Sequence, residues 1–358
     1  MSTAILRVRS PIHVGGVDGL ATIEDFVHVG DRLHRISALA LEAWLRENNL
    51  VSAYLAANES SRGAPFSLAD FLCGEGVDVA GVLPLVAAYE VSARAGAPMG
   101  DVRPFLRDPS GLPYLPGSTI KGALRTGMLA EELRSNEALR RVLAHAARQS
   151  RFSSRNAARD VERGAFARAR YPGHPGTTQH LDLWRFVLVG DSAPIRAQDV
   201  AVLAVQVWNL RRDRSPYVKL SVNAECLLPG VEVRFPLRLD EPGLRAANLQ
   251  GAKLAPEGIV GSVARWARSV WEDEASALEG LGLTTPLAPF YGETPAGFRL
   301  GWGCGWHSLG VGRLVPDDLQ RRLASRSAEG LPFPKTRKIA VFAPIGSMPL
   351  GWADLALA

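Results

Sequence analysis

The chain has 358 residues, 47 % apolar and 22 % charged, a globular profile that excludes disordered and collagen-like classes and leaves room for two domains. Its 41 Lys and Arg exceed 36 Asp and Glu, giving +5 and a pI near 9.3, which points to a polyanionic partner only where the charge is clustered. Cys73, Cys226 and Cys304 are too few and too scattered for a disulfide framework or a zinc site. No apolar run reaches the roughly 18 residues of a membrane span, and the N-terminus lacks a signal-peptide pattern, so a cytoplasmic protein with no metal or cofactor is expected.

In chain order, ILRVRSPIHV alternates apolar and polar residues before GGVDG and reads as a first strand entering a glycine loop. FVHVGDRLHRI reads as a strand pair turning at Gly30 and Asp31, and Leu41, Trp44, Leu45, Val51, Tyr54 and Leu55 follow at helical spacing. VLPLVAAYEVSA reads as a buried strand. In LPYLPGSTIKGALRTGML, Pro116 and Gly117 stop the preceding segment, Ser118 or Thr119 can cap a helix, and Ile120, Leu124 and Met128 recur four apart, so a helix is expected from there to about residue 148.

Between residues 148 and 170 the basic charge clusters. Arg148, Arg151, Arg155, Arg159 and Arg163 are three or four apart and would share a helix face, with no clean apolar stripe, which predicts an exposed helix or a segment ordered by a partner. Further strands are expected at WRFVLVGD, VAVLAVQVW and YVKLSVNAECLLPGVEVRFPLRLD, where LLPG is a turn and Pro236 marks an edge or bulge. A helix across IVGSVARWARSVWEDEASALEGL, a strand at FRLGWG, a short helix at DDLQRRLASR and a strand at RKIAVF complete a second mixed set. The reading is α+β, with one unit over residues 1–180 and another over 181–358.

Three stretches could carry chemistry. Gly117 and Gly122 have P-loop spacing, but Ala123 and Leu124 stand where that motif needs Lys and Ser or Thr. What remains is a helix start able to attract an anion, with Lys121 and Arg125 four apart, against the alternative of a capped helix with two solvated cations. In FRLGWGCGWHSLGVGR, Gly301, Gly303 and Gly305 alternate with Trp302 and Trp306, and Trp306 breaks a dinucleotide fingerprint. The glycines would allow close approach of a ligand and the Trp and His rings could stack on bases, or the loop is a tight turn whose rings fill the core. His13, beside Gly15 and Gly16, is a candidate acid or base or a polar strand end. No catalytic constellation is defensible from spacing.

Together SPIHVGG, YLPGSTIKGALRT, WRFVLVGDSAPI, AECLLPGVEVRF, FRLGWGCGWHS, PKTRKI and MPLGW, in this order along almost the whole chain, resemble the RAMP superfamily of CRISPR RNA-binding proteins. The resemblance is nearest to the subunits that cap the 3′ end of the guide RNA (crRNA) in type III-A (Csm) complexes. It implies two ferredoxin-like, RRM-related domains with glycine-rich loops and helical insertions. It also implies a non-catalytic role, with crRNA, the adjacent backbone subunit and the small subunit as partners and target RNA as a further candidate. By motif position, Gly117, Ser118, Thr119, Lys121 and Arg125 would hold guide phosphates. Gly303, Gly305, Trp306 and His307 form the second glycine loop, with Lys335, Arg337 and Lys338 adding charge and His13, Gly15 and Gly16 as further RNA contacts. Arg151, Arg155 and Arg159, which map to no motif of the family, are expected RNA contacts from the clustering of charge alone. The alternative is a metal-independent RNA-processing endonuclease of the same superfamily using His13.

Overall fold

The computed structural model describes residues 2–16, 21–61, 66–93, 100–148, 154–167, 181–213, 215–249, 254–279, 284–316, 320, 336–342 and 346–358. The strands are β1 (Thr3–Val8), β2 (Phe26–Val29), β3 (Arg32–Ile36), β4 (Ala87–Ala93), β5 (Val102–Arg103), β6 (Val187–Val189), β7 (Val200–Leu210), β8 (Pro216–Leu227), β9 (Glu232–Leu239), β10 (Phe298–Arg299), β11 (Arg337–Phe342), β12 (Gly346–Pro349) and β13 (Trp352–Leu357). The helices are α1 (Ala38–Glu47), α2 (Val51–Ser60), α3 (Leu68–Gly74), α4 (Val79–Val86), α5 (Gly117–Ser135), α6 (Glu137–Arg148), α7 (Ser154–Phe166), α8 (Glu241–Ala246), α9 (Pro256–Glu279), α10 (Thr284–Tyr291) and α11 (Gly305–Ser308).

One antiparallel sheet has the order β10-β13-β1-β9-β6. Alternation sets its two faces: Val233, Phe235 and Leu237 turn inward from β9 while Glu232, Arg234 and Arg238 face water. Helices α5 and α9 cover the inner face. They approach closely at Gly127, where a Cβ would stand 2.9 Å from Val263 Cγ2. Ile120, Leu124, Met128, Ile259 and Val263 fill the space between helices and sheet. Counting β1, β6, β9 and β13 as first to fourth, they lie side by side as fourth, first, third, second, with α5 between the first and second and α9 between the third and fourth.

The second sheet is branched. It has the order β12-β11-β7-β4-β3-β2, while β8 pairs with β7 and β5. The expected boundary at residue 180 does not divide the fold. β1 is hydrogen-bonded between β13 and β9, and β7 pairs with β4, so strands from both halves of the chain share each sheet. Helices α1 to α4 form an insertion with its own apolar cluster, including Leu41, Leu45, Phe71, Leu72 and Leu83, seated on Val27 of β2.

Several local expectations are corrected. VLPLVAAYEVSA is not one strand: Asp78 caps α4 through the Ala80 N–H, the helix runs to Val86, and only Ala87–Ala93 is extended. The helix from 117 stops at Asn136, so α5 and α6 are separate. In the basic segment, α7 buries Val161, Ala165 and Phe166, an apolar stripe hidden by the surrounding arginines, and Arg163 remains exposed. Pro236 lies in an interior strand, but its carbonyl faces Gly190, just past the end of β6, so its missing N–H lies where the ladder has already ended. Most of DDLQRRLASR and all of residues 149–153 lie outside the described residues. No described helix is long and apolar enough to cross a membrane. Among the described residues no cluster of side chains could hold a metal, and Cys73, Cys226 and Cys304 are free thiols.

A buried carboxylate ties the second sheet to the loop after β5. Glu225 of β8 is fully buried and accepts from the Tyr89 hydroxyl at 2.8 Å, the Phe105 N–H at 2.9 Å and Arg107 Nη2 at 2.9 Å. Arg107 lies over the Tyr89 ring at 3.6 Å. Glu225→Ala leaves the buried Arg107 uncompensated and is expected to cost about 3–5 kcal/mol, read from urea denaturation of the purified variant.

Candidate nucleic-acid interface

The PGST helix start is positioned by contact with the chain itself. A Cβ on Gly117 would lie 2.4 Å from the Val189 carbonyl oxygen, so glycine is needed for α5 to begin against β6. The Gly117 N–H donates to Asp191 Oδ1 at 2.7 Å. The anion expected at this helix N-terminus is therefore supplied in part by Asp191.

The two flanks of the first turns differ. Ser118, Thr119, Gly122, Ala123 and Thr126 line one cleft. Lys121 faces the other way, into an apolar-walled hollow with Leu188, Val189, Pro236 and Arg238. Burial, together with neighbouring Arg125, pulls the Lys121 amine below its ordinary value against the opposing pull of Asp182. Arg125 is bound to Glu162 at 2.9 Å and Asp182 at 2.8 Å, over the Phe166 ring at 4.5 Å, and so joins α5 to α7. The expectation that Lys121 and Arg125 grip phosphate beside Ser118 and Thr119 meets a structure that splits the four residues between two surfaces.

The second glycine loop closes on the first. Gly301 has φ +89, and a Cβ there would lie 2.5 Å from the His13 carbonyl oxygen, which accepts from the Trp302 N–H at 2.8 Å. Gly303 has φ +96 and abuts Leu350 and the Lys338 Cβ, whereas Gly305 opens α11 with nothing near it. Trp306 does not present a free face for stacking: its ring lies against Gly312, where a Cβ would collide with it, and packs on the main core. Trp302 is the ring beside the open space.

His13 is 3 % exposed. Its Nδ1 lies 2.7 Å from the Glu225 carbonyl, which can only accept, so Nδ1 carries the hydrogen and Nε2 has the free lone pair. The Trp302 ring meets the imidazole edge-on at 5.6 Å. Arg103 and Lys338 both lie over the Trp302 ring, at 4.9 and 5.1 Å. Neither has a carboxylate partner among the described residues, and Arg103 Nε is buried without a hydrogen bond. Burial, and then Arg103, lowers the Lys338 amine, and burial lowers His13 to about 4, with Arg103 adding to the effect.

His13, Gly15, Ser118, Thr119, Gly301 and Trp302, among others, line a cleft of about 490 Å³, and Arg103 and Lys338 adjoin it at the Trp302 ring. Three stretches far apart in sequence thus meet in one place. Strand alternation separates the expected pair on β11: Lys338 turns to Trp302, while Arg337 turns to Glu274 of α9 at 2.8 Å. Gly16 lies exposed beside Leu106. Arg155 and Arg159 fall on α7 with side chains outside the described set, as is that of His307; Arg151 and Lys335 lie outside it entirely.

The RAMP superfamily model matches residues 5–306, which takes in both glycine loops and α5. The chain belongs to the RAMP superfamily. A CRISPR system Cms protein Csm5 of Mycobacterium tuberculosis is 29 % identical over 162 residues, 43 % of this chain. That stretch is 40 % of the relative's length. The fold is shared with a chain in a cryo-EM structure of a Csm-crRNA-target RNA ternary complex of a type III-A CRISPR-Cas system, at a TM-score of 0.70 and 21 % identity over 99 % of this chain and 100 % of that one. It is also shared with the crystal structure of T. onnurineus Csm5, at a TM-score of 0.66 and 20 % identity over 98 % and 99 %.

Arg103 was missed as a site residue in this RAMP chain because VRPF carries no motif; its relation to Trp302 exists only after β5 pairs with β8. The buried imidazole yields a pH expectation. The unfolded chain takes the His13 proton near 6.5 and the folded chain only near about 4, so stability falls as pH drops through that interval. Urea midpoints between these limits are expected to decline more steeply for wild type than for His13→Gln, which retains a donor for the Glu225 carbonyl and loses the titration.

Proposed function

We propose that the chain is a non-catalytic RNA-binding subunit of a type III-A CRISPR effector complex, acting in the cytoplasm and capping the 3′ end of the crRNA. RAMP membership and the likeness to Csm5 proteins support this reading. So does the arrangement of β1, β6, β9 and β13 with α5 and α9, which is the order of a ferredoxin-like unit. The observation that carries it is Trp302, which lines the glycine-walled cleft and has over its ring two cations without carboxylate partners among the described residues. Such a surface suits an RNA backbone of any sequence. Its partners are then crRNA, the backbone subunit next to the crRNA 3′ end, the small subunit and target RNA.

Metal-independent cleavage by His13 is the second reading, favoured by the free Nε2 in the cleft. A lone pair that takes a proton only near about 4 is a weak base at neutral pH, which counts against it. Gentle purification of the tagged chain from its own host, with sequencing of bound RNA, separates the two. Short RNAs aligned at repeat-derived 5′ ends and ragged at 3′ ends, with other RAMP subunits, support capping; precursor RNA cut in a chelator overturns it.

Arg103→Ala combined with Lys338→Ala is expected to weaken single-stranded RNA binding uniformly across sequences. It should also flatten the slope of log K against log salt by roughly 0.7 per lost phosphate contact. Fluorescence anisotropy from low to high salt measures both, with Lys219→Ala on the exposed part of β8 as the comparison.

A further inference from the structure

The cleft is lined by an acceptor, His13, and by Trp302, over whose ring Arg103 and Lys338 stand. His13 Nε2 makes no hydrogen bond within the described chain, because Nδ1–H is committed to the Glu225 carbonyl. Gly15 leaves that nitrogen uncovered: a Cβ there would stand 3.1 Å from Nε2. The nearby charges, Arg103 and Lys338, can only donate, and they suit phosphate oxygens. Phosphate oxygens carry no hydrogen and gain nothing from a lone pair. Nε2 therefore needs an O–H or N–H, and it needs one close to a phosphate.

In a nucleic-acid strand, away from its terminal hydroxyls, two groups meet that need. Base edges offer N–H donors that vary with sequence, whereas the ribose 2′-hydroxyl is present at every RNA nucleotide, close to the backbone, and absent from DNA. Gly15, Gly122 and Gly301 line the cleft beside Nε2. We propose that His13 Nε2 accepts a hydrogen bond from a ribose 2′-hydroxyl, so that this cleft distinguishes RNA from DNA. The inference rests on the RNA-binding reading above and adds the group that is read and the residue that reads it.

Local forces keep the acceptor an acceptor. Burial and the charge of Arg103 both oppose protonation of the imidazole, and the Glu225 carbonyl fixes which nitrogen carries the hydrogen. Protonation would turn Nε2 into a donor and remove the acceptor that the 2′-hydroxyl proton meets.

The test uses the full chain and single-stranded oligonucleotides in which one nucleotide at a time carries 2′-fluoro in place of 2′-hydroxyl. Fluorine retains the size and the RNA-like sugar but cannot donate. The expected result is a loss of about five- to tenfold in affinity at one position, or at two adjacent ones, the size of one hydrogen bond. That position should be indifferent to base identity. Gly15→Ala, which places a methyl against Nε2, and His13→Phe should bind the all-hydroxyl and singly fluorinated strands equally. The proposal is overturned if wild type binds RNA with no position sensitive to fluorine, if sensitivity follows the base, or if it persists in Gly15→Ala. Failure to bind any RNA removes the RNA-binding reading as well and is a separate outcome from these.

Discussion

The Glu225 carboxylate is the constraint on which the candidate site depends. A fully buried charge must find its partners inside the protein, and here they come from Tyr89, the Phe105 backbone and Arg107. Its own backbone carbonyl then fixes His13. One residue of β8 therefore sets the path of the loop that follows Arg103 and the orientation of the imidazole. The loop after β5 and the imidazole are held by different atoms of Glu225, so a shift of β8 moves the two together.

The cleft lies at the seam of the two sheets. β1 leads to His13 and β10 to Gly301 and Trp302, both from the five-stranded sheet, while β5, β8 and β11 of the branched sheet supply Arg103, Glu225 and Lys338. Neither sheet alone holds the arrangement. The glycines of the loop are spent first on contacts within the chain: Gly301 lets the loop touch the His13 backbone within one sheet, and Gly303 makes room for Lys338 of the other. Conformational freedom that the sequence offers for a ligand is used to bring two parts of the chain together, and the ligand surface is the by-product of that contact.

Sequence alone carried the strand alternation of β9, the turn at Gly30 and the order of the RAMP motifs, because each rests on local periodicity or on residues whose backbone needs are local; it put the cap of α5 at Ser118 or Thr119, whereas the helix starts at Gly117 after Pro116 with no side-chain cap. It could not carry the domain boundary, since β1 completes a sheet whose other strands lie more than 180 residues away, and nothing near residue 3 encodes that pairing. Val161, Ala165 and Phe166 were hidden for a different reason: three apolar residues over two turns are a weak signal beside so many arginines, and they become a stripe only when α6 provides a surface. Among cations, sequence could not separate Arg125, which Glu162 and Asp182 neutralise, from Arg103, which none of the described carboxylates does. Net charge near a motif is visible in a sequence; the unspent charge is visible only in three dimensions.

That distinction also governs how the site behaves on binding. Arg103 has two effects in the empty cleft: it attracts an anion, and it holds His13 in the neutral state. A phosphate drawn to Arg103 and Lys338 would cancel much of their charge and so remove part of what opposes protonation of His13. Burial, the larger cause, would remain and would deepen as the ligand excluded water. The two changes oppose each other, so the Nε2 lone pair is kept by the exclusion of water against the charge of the bound anion.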